Sequence, residues 1–144
     1  MRVRVTGVVI EGDKILLLNQ DTDSGRSWSL PGGKVEERET LEGALIREMR
    51  EETGADVEVA GLLYVCDYFT DTSHVIHITF AARRVGGSLG AVTEGADTKV
   101  IRGVEFVPLH DLQDKGFSKK FQQLAIDGFP GAGSYMGLKS NLGL

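Results

Sequence analysis

Alternating apolar and polar residues predict two strand pairs along the chain. Residues 3–10 and 14–18 flank a turn-forming Glu-Gly-Asp sequence, and this arrangement predicts a tight hairpin. Residues 57–69 and 74–85 are rich in β-branched and aromatic side chains, which favour strands. They predict a second, longer hairpin.

Two helices are predicted where apolar residues recur every three to four positions. Residues 40–53 place their apolar side chains on one side, and Gly54 supplies a stop signal. Residues 118–126 begin with Ser118, a favourable N-cap, and are closed by Gly128. The first of these helices has the stronger pattern.

The remaining segments predict loops, one short strand and a tail. Residues 19–29 and 86–99 are expected to be loops, residues 104–107 a short strand, and residues 129–144 a glycine-rich tail without a period. Strands dominate and two helices interrupt them, which predicts an α+β fold with helices on the faces of a mixed β-sheet. Residues 1–144 are expected to form a single domain.

The charge balance narrows the classes of partner. With 21 acidic and 16 basic residues the net charge is −5, which gives no general attraction to nucleic acid or to an anionic membrane. No apolar run approaches the ~18 residues of a membrane span. The first residues enter the alternating pattern without an apolar leader, and a cytoplasmic location is expected. The single cysteine, Cys66, lies in an apolar run and is expected to be buried.

The first predicted helix changes character along one face. At ~100° per residue, its apolar side consists of Leu41, Ala44, Leu45 and Met49. The same side then carries Glu48 and Glu52, with Glu51 beside them. Carboxylates spaced three and four positions apart repel one another and are costly to bury alone. A bound Mg²⁺ or Mn²⁺ would resolve this conflict; a solvated acidic helix end is the alternative.

A longer pattern surrounds these glutamates. Five residues separate Gly33 from Glu39, seven separate Glu39 from Arg47, and the run from Arg47 to Ala55 reads Arg-Glu-Met-Arg-Glu-Glu-Thr-Gly-Ala. This resembles the Nudix box, G-x(5)-E-x(7)-R-E-U-x-E-E-x-G-U with U an apolar residue, although Ala55 is smaller than the usual aliphatic. The resemblance to the Nudix hydrolase family implies an α/β/α sandwich and cleavage of a phosphoanhydride in a nucleoside diphosphate-linked compound.

The resemblance also implies a role for each matching residue. Glu48, Glu51 and Glu52 would bind Mg²⁺, with Mn²⁺ as a substitute, or activate water, and the carbonyl of Gly32 would reach a metal. Arg47 has the i,i+4 spacing of an ion pair with Glu51 and would orient that carboxylate. Glu51 is preferred as the general base, with Glu48 as its rival.

Residues outside the glutamate cluster leave alternatives open. Glu94 is the candidate for a further metal ligand, with Asp97 behind it, unless these are solvated loop acids. Glu39 is expected to stabilise the loop and the helix N-terminus rather than touch substrate. The family often has Pro-Gly where this chain has Glu37-Arg38, and Arg38 would either meet a phosphate or lie on the surface.

Specificity is expected from the variable parts of the site. These are the 19–29 loop, the sheet face that carries His77, and the 86–99 loop. They offer few aromatic side chains and only Arg26, Lys99 and Arg102 as nearby cations, which argues against a tight pocket for one base. Trp28 is expected to pack beside its neighbours rather than stack on a base.

The expected substrate is a small nucleotide. Signals of the ADP-ribose, diadenosine polyphosphate and coenzyme A groups of the family are absent, so we expect cleavage of several nucleoside diphosphate derivatives or triphosphates. The alternatives are a specific ADP-ribose pyrophosphatase, a non-catalytic sensor of ADP-ribose-like metabolites, and a protein-interaction module that uses the acidic face. A homodimer is left open.

Overall fold

One mixed sheet with helices on its faces makes up the fold. The computed structural model describes residues 1–93, 95 and 99–144. The strands are β1 (Arg2–Glu11), β2 (Lys14–Asn19), β3 (Trp28–Ser29), β4 (Gly32–Lys34), β5 (Ala55–Phe69), β6 (His74–Gly87), β7 (Gly103–Pro108) and β8 (Ser134–Leu138). The helices are α1 (Leu41–Thr53) and α2 (Lys119–Ile126), with 3₁₀ turns at Leu109–Asp111 and Lys139–Leu142.

The strands are ordered β3-β2-β1-β6-β5-β8, while β4 pairs with β1 and β7 with β2. Both predicted hairpins are confirmed: β1 and β2 are antiparallel, and β5 and β6 form the long antiparallel pair. Strand β1 also runs parallel to β6, from Arg2 opposite Val75 to Val9 opposite Ala82. This combination makes the sheet mixed, as predicted.

Alternation along β1 divides the core between the two faces of the sheet. Val5 and Val9 pack with Leu45 and Met49 of α1. Val8 belongs to the cluster that contains Phe121 of α2. Each helix therefore covers one face, and the α+β sandwich expected from the sequence is confirmed.

The predicted helix ends are also confirmed. The Thr40 hydroxyl accepts a hydrogen bond from the Gly43 amide, and Gly54 ends α1 in the left-handed region at φ 79°. The Ser118 hydroxyl accepts from the Phe121 amide at the start of α2. In the described part of the chain, no helix has the length and apolar character that a membrane span requires.

The prediction that residues 129–144 form an irregular tail was wrong. Strand β8 pairs in parallel with β5, with Tyr64 opposite Ser134, and Leu142 is buried after it. Parallel pairing with a distant strand leaves little local sequence signal, because the pairing and the burial are both tertiary. The last residues therefore extend the sheet.

Three smaller predictions also need correction. The 19–29 segment is not wholly a loop, because β3 pairs with the end of β2 there. The loop predicted from residue 86 begins later, since β6 continues to Gly87. Leu41, placed on the core side of the helical wheel, is 38% exposed because it lies in the first turn of α1.

Candidate active site

Helix α1 carries two buried carboxylates on its core side. Glu52 is 1% exposed and Glu48 is 8% exposed, at the positions where the wheel continues the apolar stripe. The Glu51 side chain is more accessible, at 34%. The predicted switch of this helix face from apolar to acidic is confirmed, and the alternative of a fully solvated acidic end is excluded for Glu48 and Glu52.

Two glycines of β4 make room for these carboxylates. A Cβ on Gly33 would lie 2.5 Å from the carboxyl carbon of Glu48. The Gly32 amide donates a hydrogen bond of 2.8 Å to Glu52 Oε1, and a Cβ on Gly32 would lie 2.0 Å from the Val5 carbonyl oxygen. Any larger residue at either position would displace a carboxylate of α1 or the strand beside it.

Arg47 connects the glutamates through its guanidinium. Its Nη1 donates to Glu48 Oε1 at 2.9 Å and to Glu51 Oε2 at 3.3 Å. Its Nε and Nη2 donate to the two oxygens of Glu39 at 2.7 and 2.9 Å. The predicted contact with Glu51 is present, but the planar bidentate pair is made with Glu39.

Glu39 anchors this arrangement to the loop before α1. One of its oxygens also accepts from the Glu36 amide, which confirms the expected role of Glu39 in stabilising the loop. The hydrogen bond from Arg47 is the main cause that lowers the pKa of Glu39, and the same bond raises the pKa of Arg47. Both groups are therefore charged at neutral pH.

The donor set suits a hard divalent cation. Three carboxylates cluster on one side of α1, two of them buried, and carboxylate oxygens are ligands that Mg²⁺ and Mn²⁺ prefer. Among the described residues, however, no three acidic, histidine or cysteine side chains form a ready-made metal cluster. Glu48 and Glu51 are turned towards Arg47 instead. A cation would thus compete with Arg47 for these two side chains.

A backbone segment covers the C-terminal end of α1. The amides of Gly90 and Thr93 donate to the carbonyls of Thr53 and Glu51, at 2.7 and 2.8 Å. Glu94 and Asp97, the candidates for a further metal ligand, lie outside the described residues. Their roles stay predictions.

A cavity of about 330 Å³ lies on the sheet face opposite α1. Its wall includes Gly32, whose amide binds Glu52, and Thr6, which is opposite Gly32 in the β1–β4 pairing. The loop between β2 and β3 forms another side of it. The cavity thus adjoins the glutamate cluster through β4, where a substrate could contact both.

Five cationic side chains line this cavity: Arg2, Arg4, Arg26, Lys99 and Lys139. The expectation of only Arg26, Lys99 and Arg102 was therefore wrong in two respects. It missed Arg2, Arg4 and Lys139, and it included Arg102, which binds Asp21 at 2.9 Å and is not part of the cavity wall.

Comparison with known proteins assigns the chain to a family. Residues 1–125 match the family model described as NUDIX domain. The chain belongs to the Nudix family. It is 37% identical over 118 residues to an ADP-ribose pyrophosphatase of Methanocaldococcus jannaschii, covering 80% of this chain and 66% of that protein. It is 36% identical over 80 residues to a CTP pyrophosphohydrolase of Escherichia coli, covering 53% and 58%.

The fold of the chain also resembles that of a solved structure. A MutT protein of Bacillus halodurans superposes with a TM-score of 0.70 at 20% identity, over 95% of this chain and 88% of that one. That likeness concerns the fold. The matches to the archaeal and bacterial pyrophosphatases span about two-thirds or less of their lengths.

The structure also shows the positions of His77, Trp28 and Cys66, for which the sequence made predictions. The alternation of His77 with Ile76 and Ile78 indicated this sheet face, with a pocket wall and a half-exposed strand position as open alternatives. His77 lines the cavity and is buried. Trp28 packs against the core cluster near α2, with Lys115 Nζ 4.3 Å from its ring centroid. Cys66 is buried, and burial raises the pKa of its thiol.

Arg38 lies on the surface with a left-handed backbone, at φ 65°. This conformation favours glycine, which explains why the family often has glycine at this position. The surface alternative for Arg38 is confirmed.

Some of the cavity residues that were not predicted could have been identified from the sequence, and others could not. Arg2, Arg4 and Thr6 alternate with valines in β1, so the two-residue period already placed them together on one face. Lys139 follows a strand with no clear sequence pattern, and nothing local indicated that it would reach this Nudix site.

Proposed function

We propose that this Nudix chain hydrolyses the phosphoanhydride of nucleoside diphosphate-linked compounds or of nucleoside triphosphates, with Mg²⁺ at the glutamate cluster. The observation that carries the proposal is the burial of Glu48 and Glu52 beside Glu51, next to a cavity lined by cations. Buried carboxylates cost several kcal/mol unless opposite charge compensates them. Arg47 shares its one positive charge among Glu39, Glu48 and Glu51.

Glu48, Glu51 and Glu52, with the Gly32 carbonyl, would hold the cation. When bound, a divalent ion neutralises the pyrophosphate and lowers the pKa of a coordinated water. Glu51 is the preferred acceptor of the water proton, because its side chain is the most accessible of the three and its hydrogen bond to Arg47 is long. Glu48 is the rival, and Arg47 positions both.

The relatives support a reaction centred on the pyrophosphate group. One is named for ADP-ribose and another for CTP, which share a phosphoanhydride but differ elsewhere. We therefore infer that the glutamate half of the site acts on several nucleotides. A specific ADP-ribose pyrophosphatase remains the alternative, and the complete glutamate set argues against a silent sensor. A cytoplasmic location and a homodimer are further parts of this proposal, the latter checked by the mass in solution.

The test is turnover of a nucleotide panel in millimolar Mg²⁺, read as phosphate after coupling to a phosphatase. Heavy-oxygen water should label a product on phosphorus. Glu52→Gln is expected to lose about 10²-fold in rate, whereas Glu42→Gln, an exposed acid in the first turn of the same helix, should retain the wild-type rate.

Two results would contradict the proposal. Absence of turnover by folded protein across the whole panel would overturn the hydrolase and favour the sensor. Turnover of ADP-ribose alone, with every other compound at least ~10³-fold slower, would replace broad specificity by the narrow alternative.

A further inference from the structure

The cavity wall contains a buried imidazole without a visible partner. His77 is 6% exposed and lines the cavity. Within residues 1–93, 95 and 99–144, its ring makes no hydrogen bond. Burial, followed by the charges of Lys139 and Arg4, lowers the pKa of His77 to about 3. A buried, neutral imidazole that faces a cavity offers one donor and one acceptor to a ligand.

Two cations flank this imidazole. Arg4 is opposite His77 in the parallel β1–β6 pairing, and Lys139 enters the cavity from the 3₁₀ turn after β8. Burial and the charges of Arg26 and Arg4 lower the pKa of Lys139 to about 8. Like charges held together in a partly buried space are unfavourable unless an anion joins them.

The other three cations of the wall each donate a hydrogen bond within the protein, and that of Arg2 goes to the Ser73 hydroxyl. Lys99 Nζ lies 2.6 Å from an oxygen of Asp23, and Arg26 Nε donates to the Trp28 carbonyl at 2.6 Å. By contrast, the side chains of Arg4 and Lys139 make no hydrogen bond and no ion pair with any residue of the described ranges. These two charges are therefore available to a ligand.

We propose that Arg4, His77 and Lys139 form a subsite for a second phosphate group of the substrate, separate from the phosphoanhydride that is cleaved. Two cations match the charge of a phosphate monoester, about −1.5 to −2 at neutral pH, and an arginine binds phosphate oxygens with two parallel bonds. The substrate class is a nucleotide anhydride that also carries a phosphate monoester, such as one on its ribose. This inference rests on the proposed hydrolase.

The position of the subsite supports two separate anion sites. Thr6 is opposite Gly32, beside Glu52, whereas Arg4 is two residues away along β1. Two residues of a strand span roughly 7 Å, so the backbone positions of this subsite and of the glutamate cluster are separate along β1. We therefore assign the two anion sites to different phosphates of the substrate.

A matched substrate pair tests the inference by kinetics. ADP-ribose 2′-phosphate should be hydrolysed with a kcat/KM at least about tenfold above that of ADP-ribose, since a charge-assisted hydrogen bond commonly contributes 10-fold or more. Lys139→Met and Arg4→Gln should each move this ratio towards one. Lys119→Met, which removes an exposed lysine at the start of α2, should keep the wild-type ratio.

Binding without metal separates the subsite from the hydrolase. In buffer with EDTA, calorimetry should show that adenosine 2′,5′- or 3′,5′-bisphosphate binds at least about tenfold more tightly than adenosine 5′-monophosphate. Lys139→Met should abolish the difference, with Arg4→Gln as a second variant should the first be unfolded by circular dichroism. A bisphosphate preference without turnover would support the subsite and overturn the hydrolase. Equal binding of both nucleotides, with equal turnover of both ADP-ribose forms, would overturn the subsite and leave the hydrolase standing.

Discussion

Arg47→Lys tests whether the guanidinium positions the glutamates. The substitution keeps the positive charge but replaces a planar group by a single ammonium nitrogen. Arg47 donates to both oxygens of Glu39, to Glu48, to Glu51 and to the carbonyl of Lys34. One lysine nitrogen cannot occupy the three nitrogen positions that serve these acceptors.

The size of the effect follows from the bonds that are lost. The Arg47 side chain is 25% exposed and that of Glu39 19%, so solvent weakens each charge-assisted bond to about 1 kcal/mol. Loss of two such bonds amounts to about 2 kcal/mol, or roughly 30-fold in an equilibrium between positioned and displaced carboxylates. We expect kcat to fall by about 10- to 100-fold and KM to change by less than about threefold, since substrate binding is not the lost interaction.

The assay is steady-state hydrolysis of the best nucleotide in millimolar Mg²⁺, alongside thermal unfolding. Arg50→Lys is the matched control, because Arg50 lies on the same helix but pairs with Asp56 in an exposed position. It should stay within about twofold of wild type, as surface ion pairs contribute little. Wild-type kcat in Arg47→Lys would refute the positioning role, and a large rise in KM alone would show that Arg47 binds substrate instead.

Three further predictions concern the cation, a buried histidine and a strained turn. Millimolar Mg²⁺ should raise the thermal midpoint of the wild type and raise that of Glu52→Gln less; an unchanged wild-type midpoint would count against the cation. Because burial lowers the pKa of His77 to about 3 while an unfolded histidine titrates near 6.5, the unfolded state binds the proton first. As the pH decreases from about 6.5, the free energy of unfolding should decrease by up to ~1.4 kcal/mol per pH unit. In denaturant titrations, His77→Gln should lack the part of this decrease that His77 causes. Arg38→Gly should leave stability unchanged or raise it by up to ~1 kcal/mol, because Arg38 has φ 65° and this conformation strains non-glycine residues; a clear loss in thermal unfolding would show that its side chain makes a stabilising contact.

The clustering of the glutamates in the candidate site could be predicted because its geometry is local. Glu48, Glu51 and Glu52 share one helix, so the period of that helix alone places their side chains together. Arg47 reaches Glu51 over one turn of the same helix. The relative positions of residues within one helix and its caps can be predicted from the sequence without knowing how the helices and strands pack.

The bidentate contact of Arg47 with Glu39 could not be predicted from the period of the helix. Glu39 precedes the helix and reaches Arg47 because the loop folds back, with the Glu36 amide bound to the same carboxylate. The motif specifies how many residues separate Glu39 from Arg47, but it does not determine the path of the loop before α1. The predicted partner, Glu51, accepts the longest of the carboxylate hydrogen bonds of Arg47.

The cavity half depends on contacts between distant parts of the chain. Arg4 and His77 are neighbours only because β1 pairs with β6 in parallel, and Lys139 reaches them only because β8 adds to the edge of the sheet beside β5. The family model matches residues 1–125, and Lys139 lies beyond that match. Under the proposed function, a cation at this position changes which nucleotides are accepted without altering the glutamate cluster, which adjoins the cavity at Gly32 of β4. We therefore expect that substrate preference and the cleavage reaction can vary separately within this fold.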